Sequence, residues 1–293
     1  MRRLDVLDKK RSDVDTQRAL RLLKDARILS KETDVSQLEA TITLKPKHPD
    51  KPVCIWPNSD SHGGSIYTWY DTWLAHRELV MKTPNFYAIS VGDEMDMYNI
   101  NLGKASTGVY TNPISPEQQA LTFTKLFQEM DDKGKLLAWA IGNHSDFMIN
   151  SGLSYENTFL RNFQCPIFGS GGVLTINLGE QTYKVAMQHT YRGNSKKNPT
   201  NAAKNYIDFE CHDVDAVILG HVHSKATEMI EKGGMRRALI ITGTYQMDAE
   251  YGRKRGFGHP DLGGAILMLL PNKHKVMAFY SIEDVFDLME AYT

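Results

Sequence analysis

Val91-Gly92-Asp93-Glu94-Met95-Asp96 follows the apolar run Phe86-Tyr87-Ala88-Ile89-Ser90, so a buried strand ends here in a glycine turn with a carboxylate at its tip. Asp93 is the pivot of the chain. A carboxylate has two oxygens, and one at a strand end can touch two metal ions that stand about 3.5 to 4 Å apart. Such a pair needs more donors, and four other stretches supply them at a similar place in their own pattern. Cys54-Ile55-Trp56 runs into Asp60-Ser61-His62, and Leu136 to Ile141 runs into Gly142-Asn143-His144. Tyr183 to Gln188 runs into His189, and Ala216 to Leu219 runs into Gly220-His221-Val222-His223. In α/β folds, ligands gather at the carboxyl ends of strands, so five such deliveries predict one shared site.

Outward from that stretch, strand and helix patterns alternate. Strand 53–57 precedes a helix over 68–81, strand 86–91, a helix over 116–130 and strand 136–141. A helix over 155–162, a hairpin of strands 173–178 and 182–188 across Gly179-Glu180, and a helix over 201–211 follow. The last third reads as strands 215–219, 225–231, 236–242, 264–270 and 275–281, which predicts a second sheet. The sections 99–116 and 243–264 carry no clear pattern, and long loops of this kind often rim functional sites.

The first 50 residues differ from the rest. Asp13 is placed to cap an amphipathic helix through Leu20, Leu22, Leu23, Ile28 and Leu29, and 35–40 reads as a second short segment. No recognition-helix chemistry accompanies this pair, so packing against the main domain or a partner is the expectation. Lys45 to Pro52 then reads as an extended connector, which puts an N-terminal helical appendage over 1–50 and one α/β domain over 51–293.

With 293 residues, 41% of them hydrophobic, and a formal charge of −1, the chain has material for a large core and no global pull toward nucleic acid or membrane. No apolar run reaches the roughly 18 residues of a membrane span, and the start lacks the apolar segment of a signal peptide, so a cytoplasmic protein is expected. Cys54, Cys165 and Cys211 are far apart with no Cys-x-x-Cys, which suggests packed thiols.

Together, Asp60-x-His62, Gly92-Asp93-x-x-Asp96, Gly142-Asn143-His144, His189 and Gly220-His221-x-His223 resemble the motif set of the calcineurin-like metallophosphoesterase superfamily, in family order over about residues 53–245. The resemblance implies a four-layer αββα sandwich of two mixed sheets flanked by helices, with a dinuclear metal centre. It assigns Asp60, His62, Asp93 and His223 to one metal and Asp93, Asn143, His189 and His221 to the other. Imidazole, carboxylate and amide donors without thiolate suit Mn²⁺ first, with Fe, Zn²⁺ or Mg²⁺ as alternatives. Two adjacent cations acidify a shared water and clamp phosphate oxygens. His144 resembles the family's general acid. The family usually has an acidic residue directly after the Asn-His pair; here Ser145 stands there, with Asp146 next to take its place. Asp96 reads as a hydrogen-bond partner for a ligand histidine.

A metal-dependent phosphoric ester hydrolase is the reading that follows. Arg192, Lys196 and Lys197 come just after His189 and are candidates to hold flanking phosphates of DNA, RNA or a nucleotide. A second basic group, Arg253-Lys254-Arg255, has Tyr245, Tyr251 and Phe257 nearby as candidates for stacking bases. These loops are similar to those of phage-encoded members of the superfamily. Protein phosphatases of the superfamily follow their central block with Asp-Arg-Gly, whereas Met97-Tyr98-Asn99 stands after Asp96. A phosphodiester, in nucleic acid or a nucleotide, is therefore preferred. A small-molecule phosphomonoesterase and a non-catalytic assembly module remain the rivals, and oligomeric state is open.

Overall fold

Strand β2 (Val53–Asn58), β3 (Phe86–Ser90) and β4 (Leu136–Ala140) are buried at every position. That is why they read as continuous apolar runs: parallel strands at the centre of a sheet covered on both faces have no polar side to show. The computed structural model describes residues 17–18, 20–25, 38–98, 109–151, 155–195, 197–247 and 260–290. Two compact units divide the chain, Met1–Val35 and Ser36–Thr293. In the first, residues 17–18 and 20–25 are helical with Leu20, Leu22 and Leu23 exposed, and the rest of the expected amphipathic helix lies outside the described residues.

The second unit holds two mixed six-stranded sheets. One runs in the order β12 (Val276–Phe279), β11 (Ile266–Leu269), β2, β3, β4, β5 (Ile167–Phe168), with β2 to β5 parallel and β11 antiparallel to both its neighbours. The other runs β1 (Glu39–Leu44), β6 (Gly171–Leu178), β7 (Gln181–Gln188), β8 (Ala216–Leu219), β10 (Met235–Thr242), β9 (Lys225–Lys232). Its β1–β6, β7–β8 and β8–β10 pairs are parallel, and the β6–β7 and β9–β10 hairpins are antiparallel.

Strand alternation sorts the apolar side chains into three slabs. Ile55, Tyr87, Ile89 and Leu137 face Leu174, Ile176, Val185, Ile218 and Ile240 between the sheets. Cys54, Trp56, Ala88 and Trp139 point the other way, onto a slab that also holds Trp73 and Val80 of α1 (Tyr70–Lys82), Phe123, Phe127 and Met130 of α2 (Pro116–Asp132), and Val285 of α4 (Ile282–Glu290). Ala186, Val217, Leu239 and Ile241 pack with Ala202, Ala203, Tyr206 and Ile207 of α3 (Asn201–Phe209). The result is the four-layer αββα sandwich. Each Val, Leu, Ile, Phe or Met among them, fully buried, contributes about 1.5 to 3 kcal/mol. Helix α2 starts sharply because Ser115 and Gln118 form a reciprocal capping box with Pro116 at the first turn.

Two expectations change, and two elements are new. Residues 39–44 form β1, where the sequence reading has the end of a short helical segment at 35–40 and nothing over 41–44. Ala40, Ile42 and Leu44 alternate with Glu39, Thr41 and Thr43, and β-branched alternation beside an open sheet edge wins over a short helix. The helix expected over 155–162 is present as a short π-helix, Glu156–Leu160. Helix α4 and the two-residue β5 have no counterpart in the sequence reading. No helix of the described residues is long and apolar enough to cross a membrane.

Candidate metal centre

Strands β2, β3 and β4 of one sheet and β7 and β8 of the other end at the same side of the sandwich, and the residues just past their tips meet. Asp60, His62 and His223 form one group, Asp93, His189 and His221 a second, and His62, Asp96 and His144 a third, with donor atoms in each within 4.8 Å of one another. Asn143 joins the second group, its Oδ1 lying 3.1 Å from His189 Nε2. The groups are neighbours: a Cβ placed on Gly220 would stand 2.8 Å from Asp60 Oδ2 and 3.3 Å from His189 Nδ1. His221 links them too, since its backbone N–H donates to Asp60 Oδ2 at 2.8 Å while its ring belongs with Asp93 and His189.

The backbone bends hard to achieve this. Asp60, His62, Asp93, His221 and His223 all sit at positive φ, between 46° and 72°. For side chains with a Cβ this left-handed conformation costs about 1 to 3 kcal/mol each, and such cost concentrates where function needs it. Two glycines let the strand tips close up. A Cβ on Gly92, at φ 98°, would stand 2.6 Å from the Gly142 Cα and 2.7 Å from His189 Nδ1.

The donor set fits cations. His189 Nδ1–H donates to the Val91 carbonyl at 2.8 Å, so the Nε2 lone pair faces Asp93 Oδ2 at 2.9 Å and the Asn143 oxygen. His62 Nδ1–H donates to Asp96 Oδ1 at 3.0 Å, so its Nε2 faces His223 Nε2 at 2.9 Å. At His189, lone pair is set against lone pair, which is repulsive unless a proton or a metal ion lies between. Asp60 Oδ1 is buried and turns to the point where His62 and His223 meet, with His223 Nε2 3.2 Å and His62 Nε2 3.8 Å away.

Titration follows the same logic. Burial alone would raise the Asp60 and Asp93 carboxyls, but the surrounding histidines overcome it and hold both below the usual range. Burial lowers His62 and His189, yet their carboxylate neighbours win and raise them to about 10 and about 9. His221 goes down, through desolvation and then the nearby His189. Without a metal ion, these negative oxygens draw protons onto the histidines.

Asp96 serves two histidines. Its carboxylate takes the His62 proton, and its backbone carbonyl accepts from His144 Nδ1, with the Asp96 carboxylate 3.9 Å from that same nitrogen. Asn112 Nδ2 (2.8 Å) and Gln246 Nε2 (3.3 Å) hold the Asp96 oxygens in place. The His144 N–H donates to Asp93 Oδ1 at 2.9 Å. Asp146, expected to orient His144 in place of Ser145, is exposed on a 3₁₀ helix, Asn143–Ser151, while the Ser145 hydroxyl donates to the Gly142 carbonyl at 2.7 Å. Asn112 and Gln246 fall in the two sections without a readable pattern, and only their place in loops hinted at them.

The basic residues after His189 stand apart from this network. Arg192 is exposed and its guanidinium lies 5.1 Å from the Phe209 ring centre and 5.8 Å from that of Tyr191. Lys197 is exposed, and Lys196 lies outside the described residues. Tyr245 does not stack bases: it is buried, its hydroxyl accepting from Trp56 Nε1 at 3.1 Å and pairing with His76 Nδ1 at 2.7 Å. Tyr251, Arg253, Lys254, Arg255 and Phe257 are outside the described residues.

Glu94 is buried beside Asp93, and its Oε1 accepts from the Ser90 hydroxyl and, at 3.2 Å, from the Gly92 N–H. Burial first, then the Asp93 charge, push it up to about 8. Unfolded, it ionises near 4.5, so folding loses stability from pH 4.5 upward until the folded carboxyl ionises near pH 8. Glu94→Gln keeps the acceptor and removes the titration. In EDTA, its denaturation midpoint should gain on the wild type from pH 4.5 to 8 and level off above. A difference that does not vary with pH would mean that Glu94 is ionised in the folded chain.

No family model matches the sequence, and no curated protein matches it significantly. Among solved structures, a Staphylococcus aureus protein assigned as a 5′-nucleotidase aligns over 78% of this chain and 53% of its own, at 13% identity and a TM-score of 0.49. Vacuolar protein sorting 29 from Cryptosporidium parvum aligns over 78% and 96% of the two chains, at 13% identity and a TM-score of 0.40. A Streptococcus pneumoniae protein assigned as a phosphoesterase aligns over 78% and 98%, at 13% and 0.34. This chain therefore spans about half the length of the first of them. By its own architecture and residues, the chain has two mixed sheets flanked by helices and, together at one end of them, five residue blocks that resemble those of the calcineurin-like metallophosphoesterases.

Proposed function

We propose that this protein is a dinuclear-metal phosphoesterase that hydrolyses a phosphate ester, with phosphodiesters of nucleic acid or nucleotides as its preferred class. One observation carries the reading: the buried His189 Nε2 lone pair faces the oxygens of Asp93 and Asn143, next to a second cluster in which the Nε2 atoms of His62 and His223 meet the Asp60 carboxylate. Asp60, His62, Asp93 and His223 would hold one ion, and Asp93, Asn143, His189 and His221 the other, with Mn²⁺ the first choice. When bound, such a pair acidifies water and neutralises phosphate oxygens.

His144 supplies the remaining chemistry. Its Nδ1–H is committed to the Asp96 carbonyl, so Nε2 is the atom that holds or passes a proton. Water adds its oxygen to phosphorus and gives up a proton, the bond to the leaving oxygen breaks, the Nε2 proton goes to that oxygen, and the proton lost by the water restores the imidazole. The Asp96 carboxylate lies 3.9 Å from the ring's other nitrogen, Nδ1. Arg192 and Lys197 are proposed to meet flanking phosphates by rotating off the surface.

The test is hydrolysis of bis(p-nitrophenyl) phosphate and p-nitrophenyl phosphate by the full chain with Mn²⁺. The diester should be cleaved faster, EDTA should stop the reaction and Mn²⁺ should restore it. Faster cleavage of the monoester would favour a phosphomonoesterase, and cleavage of neither would favour an assembly module.

A further inference from the structure

Three segments around the corner formed by His62, Asp96 and His144 are stitched together by their backbones. The Ile66 N–H donates to the Thr111 carbonyl at 2.9 Å, the Trp69 N–H to Tyr245 at 2.7 Å, and the Met247 N–H to Tyr67 at 2.8 Å. Each segment is also anchored to the corner itself. Thr68 Oγ1 donates to the His62 carbonyl at 2.5 Å, Asn112 Nδ2 to Asp96 Oδ2 at 2.8 Å and Gln246 Nε2 to Asp96 Oδ1 at 3.3 Å.

Next to those anchors stand large side chains with no cover. Tyr110 is 87% exposed, Ile66 55%, Met247 41%, Trp69 39% and Tyr70 37%. Tyr70 has a fixed place: its hydroxyl accepts from the Gly64 N–H at 2.8 Å and donates to the Ser65 carbonyl at 3.1 Å, so its ring is held at the turn that follows His62. Aromatic rings and a methionine left open on three tied segments mark a surface that meets something.

We infer that this rim binds a planar heterocycle, such as a nucleobase, carried on the leaving side of the phosphate ester. The inference rests on the phosphoesterase reading, because His144, the residue that would protonate the leaving oxygen, sits in the same corner, its ring centre 4.6 Å from that of His62. Aromatic faces stack on any base, and methionine adapts to fill beside them. The aromatic residues for this role are thus Trp69, Tyr70 and Tyr110, not the buried Tyr245.

The test titrates 2-aminopurine riboside into the full chain loaded with Mn²⁺. Stacking should quench its fluorescence saturably, adenosine should compete and ribose should not. Tyr110→Leu and Trp69→Leu should each weaken binding by about tenfold, the loss of one base-stacking contact, while Tyr110→Phe retains it. Far-UV circular dichroism checks folding; Tyr110 is so exposed that its replacement leaves the core untouched. No saturable quench by the wild type, or equal quench by Tyr110→Leu, overturns the inference. So does concentration-dependent dimerisation that Tyr110→Leu abolishes without any quench. The quench needs no turnover, so it can persist where hydrolysis fails, and hydrolysis can persist where the quench fails.

Discussion

Asp93→Asn is expected to lower kcat/KM for bis(p-nitrophenyl) phosphate by about 10³-fold or more. Asp93 Oδ2 lies 2.9 Å from His189 Nε2, its Oδ1 accepts the His144 N–H, and it is the carboxylate that both proposed ion sites share. Removing its charge costs several kcal/mol of phosphate stabilisation, and each 1.36 kcal/mol is a factor of ten. The substitution is close to isosteric, and Asn keeps an oxygen for the His144 N–H, so the fold should survive. Bound Mn²⁺ should fall with activity, measured by elemental analysis after dialysis. A variant that keeps its full metal content and loses only turnover would show that Asp93 does not hold ions.

His144→Ala should separate the two effects. Its ring is outside the proposed ligand sets, so metal content should stay while turnover falls by about 10² to 10⁴, the usual size of general-acid catalysis. The loss should depend on the leaving group. A p-nitrophenolate departs without a proton, so its esters should suffer least, and esters with alkyl or nucleoside leaving groups should suffer most. A loss of the same size for every leaving group would assign His144 to structure or phosphate binding.

How much of this the sequence could say depended on the distance over which each feature is decided. The donors past β2, β3, β4, β7 and β8 were readable because an apolar run followed by Asp, Asn or His is a local pattern, and the layered architecture followed from the alternation of those runs with helices. Strand β1 was not readable: six residues with a weak period of two become a strand only because β6 offers an open parallel edge. The positive φ at Asp60, His62, Asp93, His221 and His223 leaves no mark in the sequence, since Asp and His adopt it more often than other residues with a Cβ but still in few of their occurrences. Asp96 was readable as a partner for a ligand histidine, but its hold on His144 runs through a backbone carbonyl, which no side-chain type reveals. Tyr245 misled because an aromatic residue in an unpatterned loop looks available, whereas the pairing with Trp56 and His76 that buries it comes from distant parts of the chain.

Electron paramagnetic resonance of the full chain loaded with two equivalents of Mn²⁺ bears most directly on the paired clusters. Ions held as close as about 3.5 to 4 Å couple through their shared carboxylate, so an exchange-coupled spectrum that collapses in Asp93→Asn is the expected result. Signals of isolated Mn²⁺ only, or saturation at one ion per chain, would contradict it.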